Sequence, residues 1–218
     1  MNIVYVSGFG SGRFSAEGTG ERLATAVGAS DVETFTFSDR KRRMSRLIKA
    51  MRTASRTYTH SAGIIPACKA IENGEIEGVD ISMFNAPVPR SAGQLVVNGF
   101  PIAWNMLKDA KEKPSILLPT VEFGVSYALE MMLHPLANMG ALFYGEPKIP
   151  DFDSTKAAIH LKTQGHEPSV IDTYDDEYFR RDPDSNRLLK QNGIKRSFLL
   201  GHHNRLAVDT AAVISELQ

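Results

Sequence analysis

The sequence predicts an α/β fold, a three-layer α/β/α sandwich with one mostly parallel sheet of about six strands. Strand-like and helix-like patterns alternate through the first third of the chain, which is the order of a parallel sheet covered by crossover helices. A proline-rich apolar stretch interrupts this alternation, which returns after about residue 153. We therefore expect a single domain over residues 1–218, with an insertion at about residues 88–152.

Six segments rich in β-branched and aromatic residues are the predicted strands. They cover residues 2–7, 32–37, 55–59, 78–84, 168–174 and 194–200. Helices are predicted where apolar side chains recur at helical spacing, most clearly at residues 40–53, 154–164 and 208–217. The carboxyl ends of parallel strands share one edge of the sheet, where the sites of open α/β proteins assemble.

The insertion combines repeated prolines with long apolar side chains, including Trp104, Tyr127 and Met131. Such side chains at helical spacing predict a small helical cap over the carboxyl ends of the strands. Aromatic and methionine stripes are most often packed as core, although they can also line a ligand pocket.

Charge and cysteine content argue against several classes of protein. The chain has 25 basic and 25 acidic residues, so no net charge attracts it to nucleic acid or to an anionic membrane. Cys68 is the single cysteine, and no Cys/His spacing typical of a zinc site is present. Neither an export signal nor an apolar run of membrane-spanning length is found. We expect a cytoplasmic protein that acts on a small molecule without a metal or cofactor, and its oligomeric state stays open.

The turn after the third predicted strand carries the most informative motif, T-H-S-A-G at residues 59–63. A strand that ends in a serine, followed by small residues and a helical pattern, is typical of a nucleophile elbow, which exposes the serine hydroxyl above the sheet. Thr59 stands where a glycine is usual, and Pro66 removes an N–H group early in the helix. The competing interpretation of Ser61 is a helix cap.

A serine nucleophile needs a base within hydrogen-bond reach and an acid that orients the base. His202 and His203 follow the last predicted strand, at the sheet edge where Ser61 is expected. His60 adjoins Ser61, but neighbouring side chains of a strand point to opposite faces, so we expect it to point away from the hydroxyl. The acid candidates lie in the run Asp175-Asp176-Glu177, just beyond the fifth strand.

Serine, acid and histidine in this order, each at a strand end, resemble the α/β-hydrolase superfamily. Residues 4–9 resemble the family's early strand and its oxyanion loop, with Ser7 where the family has histidine. Residues 161–171 resemble the helix, glycine and strand that precede the family's acid. The resemblance covers most of the chain outside the insertion and implies the same fold with a helical cap.

The resemblance implies a catalytic triad of Ser61, Asp176 and His203, with Asp175 and His202 as alternates. The family's spacing after the fifth strand falls on Asp176. His203 begins an H-N-x-L pattern that precedes the closing helix.

The same resemblance implies that the backbone N–H groups of Phe9 and Ala62 form the oxyanion hole. The implied enzyme is a carboxylesterase-like serine hydrolase that cleaves an ester of a small or acyl substrate through an acyl-enzyme on Ser61. Amides and thioesters are less favoured substrates.

Two other functions compete with hydrolysis. An α/β-hydrolase fold without activity could serve as a binding module, because fold does not determine function. A dinucleotide-binding protein is the weaker alternative, prompted by Gly8, Gly10 and Gly12 after the first strand. Arg13 occupies the place of that motif's third glycine, and Asp39 lies late for the acid at the end of the second strand.

Overall fold

The computed structural model describes residues 1–8, 11, 13–40, 43–89, 99–118, 120–121, 124–125, 152–176 and 181–217. Its centre is one sheet of six strands in the order β2-β1-β3-β4-β5-β6, and every neighbouring pair is parallel. The strands are β1 Asn2–Val6, β2 Asp31–Phe35, β3 Arg56–His60, β4 Asp80–Phe84, β5 Glu167–Asp175 and β6 Lys195–His202. The predicted fold class and all the predicted strands are confirmed, with ends that differ by at most two residues.

Helices cover both faces of this sheet. They are α1 Arg13–Val27, α2 Met44–Thr53, α3 Ile64–Gly74, α4 Gly99–Glu112, α5 Ser154–Thr163, α6 Pro183–Gln191, α7 Arg205–Val208 and α8 Thr210–Leu217, with short 3₁₀ turns at Phe37–Arg40, Ser61–Gly63 and Pro114–Ile116. The helix predicted at residues 40–53 begins later, at Met44, because Asp39 accepts the Thr36 N–H at 3.0 Å and caps the 3₁₀ turn instead. The helix predicted at residues 208–217 begins at Thr210, because the backbone of Asp209 is not helical, and Val208 ends the separate short helix α7.

Successive residues of β1 point to opposite faces, and each face has its own buried core. Val4 and Val6 pack with apolar side chains of α2, α3, α5 and α6. Ile3 and Tyr5 pack with side chains of α1, α7 and α8. Burial on both faces is the rule for parallel strands, and it makes the carboxyl edge of the sheet the accessible place for a site.

The insertion predicted at residues 88–152 lies largely outside the described residues, and so do Tyr127 and Met131. Its described part contains α4, and Lys113, directly after this helix, forms an ion pair of 3.2 Å with Asp209 between α7 and α8. Trp104 of α4 is 71% exposed, whereas Ala110 is buried. Within the described ranges, no helix has the length and apolar character needed to cross a bilayer.

A buried ion-pair network holds the chain on both sides of Asp176. Arg181 donates to Asp172 Oδ2 at 3.0 Å and to Thr155 Oγ1 at 2.9 Å. Arg196 of β6 contacts the same carboxylate oxygen at 2.9 Å. Charge-assisted hydrogen bonds of this kind are stronger than neutral ones, so the network holds Arg181 and β6 against β5.

Candidate active site

The turn at Ser61 has the geometry of a nucleophile elbow. β3 ends at His60, Ser61 has φ +53° in the left-handed region, and α3 begins at Ile64. A residue other than glycine rarely adopts this backbone conformation, and it is often found at functional sites. Gly63 is required at this turn, because a Cβ there would lie 2.1 Å from the Val6 carbonyl oxygen. The start of α3 therefore passes directly against β1.

The two departures from the elbow motif are accommodated. Thr59 is buried in the middle of the sheet, in register with Val6 of β1 and Met83 of β4, and its hydroxyl donates to the Ser82 carbonyl at 3.4 Å. Pro66 is the third residue of α3, within the first turn, where backbone N–H groups have no intrahelical partner. Neither residue disrupts the strand, the turn or the helix.

The loop after β1 passes beside the serine. A Cβ built on Gly8 would lie 2.5 Å from Ser61 Cβ and 3.1 Å from Ser61 Oγ. Ala62 is fully buried at the start of the turn. Phe9, the other residue predicted for the oxyanion hole, lies outside the described residues. Gly8 therefore lies directly beside Ser61.

Asp176 and His203 are in direct contact. Nδ1 of His203 lies 3.0 Å from Asp176 Oδ2 and 3.1 Å from Oδ1, and both side chains are buried. A carboxylate only accepts hydrogen bonds, so Nδ1 carries a proton. In the neutral imidazole the lone pair is then on Nε2, which is the state of a general base.

The alternate pair occupies a different environment. Asp175 and His202 are register partners in the β5–β6 ladder, just past an irregularity in the pairing. The Asp175 side chain is exposed, whereas His202 is buried and its Nδ1 accepts the Asn204 N–H at 3.3 Å. The structure thus brings together Asp176 and His203, and it leaves Asp175 facing solvent.

Two buried side chains that contact His203 are not predicted from the sequence as site residues. His60 Nε2 lies 3.0 Å from the His203 carbonyl oxygen, and the two rings are 5.2 Å apart. Asn85 Nδ2 donates to the same carbonyl at 2.6 Å. The expectation for His60 rested on strand alternation alone, which says nothing of a loop that returns to cover it. Asn85 could have been noticed as a polar residue directly after a strand, at the same sheet edge.

Electrostatics keep His60 neutral. Desolvation by burial, with the nearby His203 as the second cause, lowers the pKa of His60 to about 3. Because a carbonyl oxygen only accepts, the proton of the neutral ring is on Nε2. His60 Nδ1 is buried and has no hydrogen-bond partner among the described residues.

Metal binding and dinucleotide binding have less support at the carboxyl edge of the sheet. Over the described ranges, no group of three or more His, Cys, Asp or Glu side chains could hold a metal ion. Asp39, the acid considered for a dinucleotide ribose, is engaged by the Thr36 N–H and by Arg43 at 3.1 Å. Gly10 and Gly12 of the glycine motif lie outside the described residues.

Known structures share the fold of this chain. No protein-family model and no curated protein matches the sequence. The meta-cleavage product hydrolase of Pseudomonas fluorescens IP01 is similar at 12% identity, with a TM-score of 0.63 over 100% of this chain and 89% of the other. A carboxylesterase of Nitrososphaera gargenis is similar at 13% identity, with a TM-score of 0.55 over 100% of this chain and 92% of the other.

The thioesterase domain from the curacin biosynthetic pathway is also similar, at 14% identity and a TM-score of 0.54, over 99% of this chain and 90% of the other. These neighbours share the α/β-hydrolase fold. The protein therefore has the α/β-hydrolase fold, as the order of its motifs predicts.

Proposed function

We propose that the protein is a serine hydrolase that cleaves an ester of a small or acyl substrate through an acyl-enzyme on Ser61. The observation that carries this proposal is the buried Asp176–His203 pair, with His203 next to the elbow that presents Ser61. Fold neighbours described as esterases, a thioesterase and a hydrolase support hydrolysis as the general reaction.

In the first half of the reaction, Ser61 Oγ attacks the carbonyl carbon of the ester. His203 Nε2 takes the hydroxyl proton, and Asp176 stabilises the imidazolium that forms. The backbone N–H groups of Ala62 and Phe9 stabilise the negative oxygen of the tetrahedral intermediate. Collapse of this intermediate breaks the ester bond, and His203 gives its proton to the leaving alcohol.

In the second half, water attacks the acyl group on Ser61. His203 again accepts the proton, and its return to Ser61 Oγ releases the carboxylic acid. The net reaction is ester plus water giving acid plus alcohol, and no step requires a cofactor. The apolar composition of the insertion favours an acyl or aromatic group on the substrate.

Turnover of a short-chain nitrophenyl ester tests this proposal. Wild-type protein should release nitrophenol, and Ser61→Ala and His203→Ala should each lower kcat by at least about a thousandfold. Circular dichroism and melting curves of each variant control for folding. A folded wild-type protein that hydrolyses no ester of several chain lengths would support the binding-module alternative instead.

A further inference from the structure

The carbonyl oxygen of His203 receives two buried side-chain donors from two different strand ends. His60, the last residue of β3, approaches it at 3.0 Å through Nε2. Asn85, directly after β4, donates to it at 2.6 Å through Nδ2. A carbonyl oxygen has two lone pairs, so both are used. We propose that His60 and Asn85 are positioning residues, which hold the backbone of His203 by this carbonyl and so fix its imidazole against Asp176 and towards Ser61.

His203 lies where the sheet no longer fixes its backbone. His203 and Asn204 form a turn between β6 and α7, beyond the last ladder pair of an edge strand. No strand pairing therefore fixes the backbone from which the imidazole projects. A displacement of about 1 Å between reacting groups can cost about a hundredfold in rate. Two hydrogen bonds to the carbonyl limit this displacement.

The orientation of the Asn85 amide follows from its other partners. The backbone N–H of Thr173 donates to Asn85 Oδ1 at 2.8 Å, and the Thr173 hydroxyl lies 3.2 Å from the same atom. An N–H group can only donate, so this end of the amide is the oxygen and the NH₂ group faces His203. Asn85 has φ +45°, a left-handed conformation that asparagine tolerates better than most residues. Asn85 thus suits its left-handed backbone conformation, and its side chain links β5 to the His203 turn.

The two donors connect all three members of the proposed triad. His60 directly precedes Ser61, so its hydrogen bond ties the nucleophile's strand to the turn of the base. Thr173 lies three residues before Asp176, so the Asn85 amide ties the acid's strand to the same turn. A single carbonyl oxygen is therefore the point at which β3, β4 and β5 constrain His203.

Packing alone does not account for His60. Its Nδ1 is buried without a partner among the described residues, which carries a desolvation cost that an apolar side chain would avoid. Burial also keeps the ring neutral, with a pKa of about 3, so Nε2 remains a donor to the carbonyl over the working pH range. The donor function explains why a histidine stands at this buried position.

Three variants of β3 test the proposal. His60→Leu removes the donor and puts an apolar side chain of roughly similar size in its place, whereas His60→Gln retains an N–H group near the position of Nε2. Thr57→Val is the matched control: Thr57 is buried in the same strand, and its hydroxyl has no partner among the described residues. kcat and KM for a nitrophenyl ester are measured together with the downfield NMR signal of the His203 Nδ1 proton.

His60→Leu should lower kcat about a hundredfold with little change in KM. It should also broaden or shift the Nδ1 proton signal. His60→Gln should recover at least about tenfold of the lost kcat, and Thr57→Val should match the wild type in both readouts. A folded His60→Leu with wild-type kcat and an unchanged signal would overturn the proposal. Equal losses in Thr57→Val would also overturn it, because they would indicate a general packing effect.

Asn85→Asp keeps the test valid if His60→Leu does not fold. The aspartate keeps an acceptor for Thr173 and tolerates the left-handed backbone, but it places an oxygen against the His203 carbonyl. We expect a loss of kcat of the same order as for His60→Leu, and wild-type kcat would overturn the role of Asn85.

The proposal rests on the proposed function only in naming His203 as the base. If the wild type hydrolyses no ester, the proposed function fails. The Nδ1 proton signal still reports whether His60 and Asn85 position the imidazole, because this signal requires no turnover.

Discussion

Asp175 and Asp176 are adjacent residues in opposite environments, and this difference predicts different effects of the same substitution. Asp176 is buried against His203, whereas Asp175 faces solvent. Asp176→Asn should lower kcat about 10³- to 10⁴-fold, because an amide no longer selects the tautomer with the proton on Nδ1. Asp175→Asn should stay within about a factor of two of the wild type. Ester hydrolysis by the two purified variants measures this difference, and a larger loss in Asp175→Asn would reverse the assignment.

Gly8 gives a second prediction at the level of a single residue. Gly8→Ala places a methyl group 2.5 Å from Ser61 Cβ, so the loop or the elbow must move. We expect kcat to fall about a hundredfold, because the serine and the oxyanion loop lose their relative position. Gly124→Ala is the control, since a Cβ on this exposed glycine would meet no atom of the described residues within 4 Å. Equal activity of Gly8→Ala and the wild type would contradict the placement of this loop.

Some site residues can be predicted from the sequence and others cannot. Ser61, Asp176 and His203 follow strands or their turns, and the carboxyl ends of parallel strands meet at one edge. The contacts of His60 and Asn85 join residues separated by 143 and 118 positions. No local pattern specifies such contacts, because they depend on where the turn after β6 returns over β3 and β4. Strand alternation predicts the face of the sheet on which the His60 side chain lies, but not the residue that this side chain contacts.

At the scale of secondary structure, strands were more predictable than helix ends. The inner strands β1, β3, β4 and β5 are rich in β-branched and aromatic residues and mostly buried on both faces, and this composition marks them in the sequence. The helix predicted to start at residue 40 begins at Met44. Asp39 instead caps a 3₁₀ turn through the Thr36 N–H and pairs with Arg43 at 3.1 Å. A capping residue indicates a turn of helix without specifying its type.

The buried network around Asp172 predicts a large effect of Arg181 on stability. Arg181→Met removes hydrogen bonds to Asp172 and Thr155 from a buried site. The free energy of unfolding should fall by about 3 kcal/mol. Arg187→Met is the control, because Arg187 and its partner Asp184 are 66% and 78% exposed, and its loss should stay below about 1 kcal/mol. Urea unfolding of both variants measures the difference, and similar losses would show that the network contributes little.

At the scale of the whole molecule, His60 makes stability depend on pH. Its pKa is about 3 in the folded protein and 6.5 when unperturbed, so between these values the unfolded chain binds a proton that the native state does not. The free energy of unfolding therefore falls with decreasing pH, by up to about 1.4 kcal/mol per pH unit. Above this range the group contributes no pH dependence.

Comparison with His60→Gln isolates this contribution. From about pH 7 to about pH 4.5 the wild type should lose about 2 kcal/mol more stability than the variant, which has no titratable group at this position. Urea unfolding at both pH values gives the two differences. Parallel pH profiles of the two proteins would mean that His60 is not buried as a neutral ring.

The proposed hydrolysis depends on an activated serine at residue 61. Reaction of the intact protein with a fluorophosphonate probe, with the labelled residue located by mass spectrometry, tests it most directly. We expect a single covalent adduct on Ser61, no adduct in Ser61→Ala, and labelling at least about a thousandfold slower in His203→Ala. Failure of the folded wild type to react, or equal labelling of Ser61→Ala, would contradict it.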